Sequence, residues 1–254
     1  MDNFDEKLVE AKIRDVFAIA RKNREKRATN FLDPGEQQIA EQVARSFPDM
    51  GFFFDGGYAD AERRVLVAYP EYAAEEPLGQ PLGALRITSK DPSEYPGHRD
   101  YLGSILGLGM NREKLGDILV SGFSADVVIK QDIMEYIGLN LVKVGNAPVS
   151  VEEISIRELL QPQRSYKELK STVASLRIDA IASIAFGISR SKMAPFIKGE
   201  NLKLNFKVIK DPSTAVKEGD VISAHRLGRA KVVDIGGESK KGRTYVKVHR
   251  YTSR

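Results

Sequence analysis

Residues 177–222, RIDAIASIAFGISRSKMAPFIKGENLKLNFKVIKDPSTAVKEGDVI, hold the densest pattern in the chain. Arg177-Ile-Asp179 opens a helix that ends near Phe186-Gly187, since glycine closes helices at little steric cost. Ser189-Arg190-Ser191-Lys192 opens a second helix, closed by Lys198-Gly199. Ser189 is placed to cap it by accepting an N–H of the first turn. Free N–H groups and the helix dipole favour an anion there, and Arg190 and Lys192 add charge and forked donors. Along this helix Arg190, Ala194 and Lys198 share one stripe while Met193, Phe196 and Ile197 share another. One stripe packs and the other faces outward. Pro195 removes a backbone hydrogen bond, so the helix is expected to be kinked or irregular in its first turn. Residues 202–205 and 206–209 read as short strands. Asp211-Pro212 reads as a turn, and Glu218-Gly219-Asp220 leads into another strand.

Outward from this stretch the charge is uneven. Residues 161–254 hold 20 Lys+Arg against 8 Asp+Glu, whereas residues 1–80 hold 11 against 16 and residues 81–160 hold 8 against 11. A strongly basic module therefore follows a mildly acidic body, and such a module attracts polyanions. The middle third reads as strand 82–88, helix 98–108, strands 117–121 and 126–130, helix 131–144 and strand 148–156. That β-α-β-β-α-β order is ferredoxin-like, and many RNA-recognition modules share it. Phe123-Ser-Ala-Asp-Val-Val-Ile-Lys130 offers one aromatic where a base-stacking sheet needs several. The front reads as a helix over residues 4–29, a second helix from Asp33-Pro34 to about Ser46, and strands at 51–55 and 64–69. Boundaries are expected at the proline-rich stretch from Pro70 to Pro81 and at the turn Gln161-Pro-Gln163. Residues 166–176 fit a strand or a linker equally. The expectation is an α+β chain of three units: an N-terminal α/β domain over 1–80, a ferredoxin-like domain over 81–160 and a basic module over 165–254.

The pattern of residues 177–222 resembles the S-four-type RNA-binding domain, or alpha-L motif. Its elements are R-[LI]-D, a helix, S-R-S, a helix ending before glycine, a short strand, D-P, then G-D-x-I. Further stretches extend the likeness: Phe54-Asp-Gly56-Gly57-Tyr58 with Glu62-Arg63, His98-Arg99-Asp100-Tyr101-Leu102-Gly103, Arg112-Glu-Lys-Leu-Gly116-Asp117, and Leu227-Gly-Arg229. With them the chain resembles the YlmH family of bacterial and plastid S-four-domain proteins over essentially its whole length. The resemblance implies binding to structured RNA, namely ribosomal RNA of the large subunit, tRNA or both. The candidate RNA contacts are Arg177, Ser189, Arg190, Ser191, Lys192, Lys198, Lys203, Asn205, Lys207, Arg226 and Arg229.

Chemistry other than binding finds little support. The 254 residues include no cysteine and three histidines, His98, His225 and His249. Disulfides, thiolate zinc sites and cysteine nucleophiles are thereby excluded. His98-Arg99-Asp100 lacks the asparagine that a kinase loop requires. It reads first as a helix-start cluster and second as an RNA contact. Gly107-Leu-Gly109 lacks the last glycine of a dinucleotide loop, and no phosphate-loop lysine motif occurs. No catalytic residue, cofactor or metal is expected. The alternative is an RNA-modifying enzyme, of pseudouridine-synthase or methyltransferase type, that uses the basic module for targeting. The basic run Arg21-Lys22-Asn-Arg24-Glu-Lys26-Arg27 reads as charge favouring a helix C-terminus. No apolar run approaches the ~18 to 20 residues of a membrane span. The acidic start, Met1 to Glu6, lacks the apolar core of a signal peptide, so a cytoplasmic protein is expected.

Overall fold

Helix α1 (Asn3–Asn23) buries Ile13, Phe17 and Ala20 along one stripe. The computed structural model describes residues 3–73, 81–91, 93–160, 166–239 and 242–251. The helix stops short of the expected Thr29, because Arg24 takes a left-handed backbone with φ 57°. The next segment pairs instead as β1 (Arg27–Leu32). Its register against β3 (Arg64–Pro70) slips between Ala28 and Phe31, and the Thr29 hydroxyl accepts the Leu66 N–H there at 2.9 Å. Most of the basic run is held locally. Arg21 pairs with Asp49, Arg27 pairs with Glu25, and Lys26 lies over the Tyr69 ring. Helix α2 (Pro34–Ala44) starts as expected. Asp33 accepts the Glu36 N–H, Glu36 accepts the Asp33 N–H, and Pro34 occupies the first turn. With β2 (Met50–Asp55) the strands form a sheet in the order β1-β3-β2.

The middle segment gives β4 (Leu82–Ser89), α3 (His98–Gly107), β5 (Leu115–Ser121), β6 (Ser124–Lys130), α4 (Met134–Asn140), β7 (Lys143–Val144) and β8 (Ala147–Ile154). Its sheet runs β5-β6-β4-β8-β7 with every neighbour antiparallel, the ferredoxin-like arrangement. The helix expected over 131–144 is shorter. It ends at Asn140, and Lys143–Val144 forms β7, which turns back through Gly145 at φ 57°.

The second face of this sheet decides what it can do. Leu85, Ile87, Val127 and Ile129 point to one side and pack with Tyr101, Ile105 and Ile137 of the helices. Leu82, Ala84, Leu119 and Val128 point to the other side and pack with Phe31, Val65 and Val67 of the first sheet. Strand β3 is therefore buried on both faces, which is why residues 65–68 read Val-Leu-Val-Ala without alternation. The Phe31 ring lies so close to Gly116 that a Cβ there would sit 2.7 Å from it. Polar groups complete the joint. The Asp117 carboxylate accepts from the Tyr58 hydroxyl at 2.7 Å, the Glu62 N–H at 2.7 Å and the Arg63 N–H at 3.1 Å. Arg63 donates to the carbonyls of Leu115 and Phe31, and Arg112 donates to that of Leu115 at 2.6 Å. Burial, helped by Arg63, lowers the Arg112 pKa to about 10. The sheet surface that RNA-recognition modules present to bases is thus covered by protein over much of its area.

The chain divides into two compact units, with the break at residues 162–163. The expected N-terminal and ferredoxin-like segments each have their own sheet and share the layer just described. Gln161-Pro-Gln163 and most of the stretch from Pro70 to Pro81 lie outside the described residues.

The second unit contains β9 (Tyr166–Val173), α5 (Ile178–Phe186), α6 (Arg190–Lys198), β10 (Leu202–Leu204), β11 (Lys207–Val208), β12 (Val221–Ala224), β13 (Gly228–Glu238) and β14 (Thr244–Tyr251). One sheet runs β11-β10-β12-β13-β14-β9. The segment that fitted strand or linker equally is an edge strand, paired with β14 from Tyr166 to Val173. Both helices cover one face through Ile181, Ala185, Met193 and Ile197, against Leu202, Ile222, Val232 and Val248.

Candidate nucleic-acid interface

Helix α5 is mostly apolar and buried, and it ends at Gly187 with φ 67°. The chain reverses and α6 begins at Arg190. Met193 and Ile197 enter the core, as their spacing requires, while Arg190, Ser191, Lys192 and Lys198 are exposed. Helix α6 runs unbroken from Arg190 to Lys198 with Pro195 inside it. The cost of the proline falls on the Ser191 carbonyl, which lacks the donor four residues on.

Asp179 organises the site. Its side chain is 8% exposed, and it faces two arginines. Arg190 donates to one carboxylate oxygen at 2.8 Å, and Arg177 donates to both at 3.2 and 3.5 Å. Burial acts to raise the Asp179 pKa, but the hydrogen bonds and charges of Arg190 and Arg177 outweigh it and hold the carboxyl below its ordinary value. Two guanidinium groups from different parts of the chain are thereby fixed side by side, each still 41–53% exposed. A carboxylate inside an apolar helix start is rarely buried unless paired, and that rule could have marked Asp179 from the sequence.

A depressed carboxyl pKa stabilises the fold at neutral pH, and this contribution is lost as pH falls through the lowered value. Asp179→Asn is therefore expected to flatten the acid limb of stability below the ordinary value of 3.8. Urea unfolding of the full chain, read by amide exchange in α5 at several pH values, checks this. Superimposable curves for parent and variant would count against the clamp.

Ser189 departs from expectation. It holds the N-cap position with an extended backbone, but its hydroxyl makes no capping bond and lies 3.0 Å from the Ser191 hydroxyl. The short side chain is drawn sideways to Ser191 rather than over the helix end. The Arg190 and Ser191 N–H groups thus open the helix without that cap, where a phosphate oxygen can be received.

The other candidates divide. Lys203 pairs with Val208 across the β10–β11 hairpin and Lys207 pairs with Leu204, so the two lysines stand on opposite faces. They do not extend one basic face together. Asn205 and Phe206 form the turn, both with positive φ, so Phe206 lies outside the strand expected for it. The Asn205 amide donates to Asp220 at 2.8 Å and accepts from the Val221 N–H at 2.9 Å, tying this turn to the start of β12. Arg226 is exposed in the β12–β13 turn with φ 62°. Arg229 reaches the Ser223 hydroxyl and lies over the Phe206 ring. Among the described residues no group of three or more His, Cys, Asp or Glu is arranged to hold a metal ion. Among them, too, no helix is long and apolar enough to cross a membrane.

Comparison with known proteins fits this geometry. Residues 176–222 match the family described as "S4 domain", and residues 94–158 match "Putative RNA-binding domain in YlmH". A curated protein of Bacillus subtilis (strain 168), "Ribosome-associated protein quality control protein P2", is 35% identical over 222 residues, which are 87% of this chain and 86% of that protein. The chain belongs to the YlmH family of S4-domain RNA-binding proteins. A solved structure, "Cell division protein ylmH from Streptococcus pneumoniae", shares the fold, with TM-score 0.55 and 21% identity over 63% of this chain and 98% of that one. Several of the YlmH-like stretches outside the S4 domain now have a structural place. Gly57-Tyr58, Glu62-Arg63, Arg112 and Gly116-Asp117 build the joint between the two sheets of the first unit, and Gly56 packs within its own segment against Ala61 and the Arg63 carbonyl.

Proposed function

We propose that this protein is a cytoplasmic, non-enzymatic factor that docks on structured RNA of the large ribosomal subunit, beside a bound tRNA. The Asp179-held pair of Arg177 and Arg190 at the open start of α6 carries the proposal. Folded RNA is recognised mainly by shape and phosphates, and two fixed guanidinium groups beside helix N–H donors suit a phosphate pair. The basic balance of residues 161–254 gives the field one direction. The Bacillus subtilis relative, a ribosome-associated protein at 35% identity, supports the ribosome as the setting. In the ferredoxin-like segment, RNA contact falls to the helices and sheet edges, since the second sheet face is largely covered.

Sucrose-gradient sedimentation tests the proposal. The protein is expected in the large-subunit fractions at low salt and at the top of the gradient at high salt, because docking releases counterions. A protein that stays at the top at low salt, even with subunits carrying tRNA, is not such a factor.

A further inference from the structure

The sheet of the second unit has a face that α5 and α6 do not cover. On β14, Val246 and Val248 enter the core. Their neighbours Tyr245, Lys247, His249 and Tyr251 therefore point the other way. Register carries this face across the sheet. On β9, Tyr166 stands opposite Tyr251 and Lys170 opposite Lys247. On β13, Lys231 stands opposite His249, and Lys203 on β10 belongs to the same face through Ser223 and Arg229.

Three features of this face point to one kind of ligand. The first is aromatic. The Tyr166 ring stacks on the His249 ring, with centroids 3.8 Å apart and planes 11° from parallel. Tyr166 and Tyr245 are each more than half exposed, although a tyrosine gains by burial. The second is charge. Lys247 stands across from Lys170 on β9, an unfavourable like-charge pair, and across from Asp234 on β13. Lys170 has an ion pair with Glu168 at 3.0 Å, and Glu168 also meets His249 at 3.2 Å. Glu168 thus sits between Lys170 and His249, Asp234 stands opposite Lys247, and the face adds Lys231 and Lys203, so cations outnumber carboxylates along it. The third is shape. A concavity of about 360 Å³ lies beside the stack, walled by Tyr166, Lys231, His249, Tyr251 and the Glu218-Gly219 turn.

We infer that this open sheet face binds an unpaired RNA segment, with bases stacked on Tyr166 and Tyr245 and phosphates along Lys170, Lys231 and Lys247. Aromatic rings accept any base on their faces, while interleaved cations follow the backbone. An acidic peptide would use the lysines and leave the rings idle. The inference rests on the RNA-binding reading above and adds a second contact, on the side of the sheet opposite α6, for single strands rather than folded RNA.

The test uses the full chain and fluorescence anisotropy with a labelled oligo(A) RNA, an abasic oligomer of the same length and charge, and a structured RNA hairpin. The parent is expected to bind oligo(A) at least about tenfold more tightly than the abasic oligomer. The double variant Tyr166→Ala/Tyr245→Ala is expected to lose about tenfold or more on oligo(A), keep the hairpin within about twofold, and keep its circular dichroism. Tyr166→Phe/Tyr245→Phe should restore oligo(A) binding, since stacking needs the ring and not the hydroxyl. Arg190→Ala/Lys192→Ala should show the reverse pattern, losing the hairpin and keeping oligo(A). Equal binding of oligo(A) and the abasic oligomer overturns the inference, as does parental oligo(A) affinity in the alanine variant. Loss of both RNAs together in that variant also overturns it, because the face would then serve the ligand of α6. Displacement of oligo(A) by poly-glutamate at matched charge overturns it in favour of an acidic protein segment. Failure of the parent to bind the hairpin counts against the proposed function itself, which keeps the two results separate.

Discussion

Replacing Arg190 and Lys192 together by alanine is expected to weaken binding of structured RNA by about a hundredfold near 0.1 M salt. Both side chains are exposed at the first turn of α6. Each would neutralise one phosphate, so the slope of log affinity against log salt should become shallower by about 2. The fold should persist, since the buried residues of α6 are Met193 and Ile197, with a modest loss of stability because Asp179 keeps only its bonds from Arg177. Asp179→Asn separates placement from charge. It removes a negative charge, so electrostatics alone predicts tighter binding. It also weakens the acceptor that holds Arg177 and Arg190 side by side, so a positioning role predicts looser binding despite the gain in net charge. Titration of one RNA hairpin at several salt concentrations reads all three quantities. Tighter binding by the Asp179 variant would reduce the clamp to a stabilising ion pair.

The basic module was legible because its constraints are local. Gly187 closes α5, Met193 and Ile197 follow helical spacing into the core, and the residues that carry charge lie between these fixed points. What escaped the sequence depends on partners far along the chain. Strand β1 hides behind a basic run that continues the helical pattern, and only pairing with β3 calls it out. Strand β7 is two residues long, though Gly145-Asn146 before Ala147 is a hairpin signal that could have marked it. The Asp179 clamp needs Arg190, eleven positions away across a helix reversal. The covered sheet face was half legible. The absent aromatic signature argued against base stacking, and the structure supplies the reason: Val128 and Ala84 stand under Phe31, Val65 and Val67. The missed clue was the unalternating run Val65-Leu66-Val67-Ala68, which marks a strand with protein on both sides.

The second large effect concerns that shared layer. Asp117→Ala is expected to destabilise the first unit by about 3 to 5 kcal/mol. The carboxylate accepts three hydrogen bonds, from the Tyr58 hydroxyl and from the Glu62 and Arg63 N–H groups. Alanine leaves these three donors without that acceptor at a half-buried site, and each lost bond of this kind costs about 1 to 3 kcal/mol. Asp117→Asn should fall between, because an amide keeps one acceptor oxygen and turns N–H against N–H at the other position. Glu10→Ala, which breaks an exposed pair with Arg14, should cost less than about 1 kcal/mol and serves as the control. Native-state amide exchange is the measurement, because it reports each sheet separately. Asp117 sits on β5 and its donors lie in the segment before β3, so the joint ties the first sheet to the second. Amides of β3 and β6 should lose protection together and by the same free energy. Phe31 under Gly116 and the apolar layer around Val65, Val67 and Val128 make separate opening costly, since either sheet alone would expose that layer to water. If β3 loses protection while β6 keeps it, residues 1–80 open as a unit of their own, and the division expected near residue 80 describes folding as well as sequence.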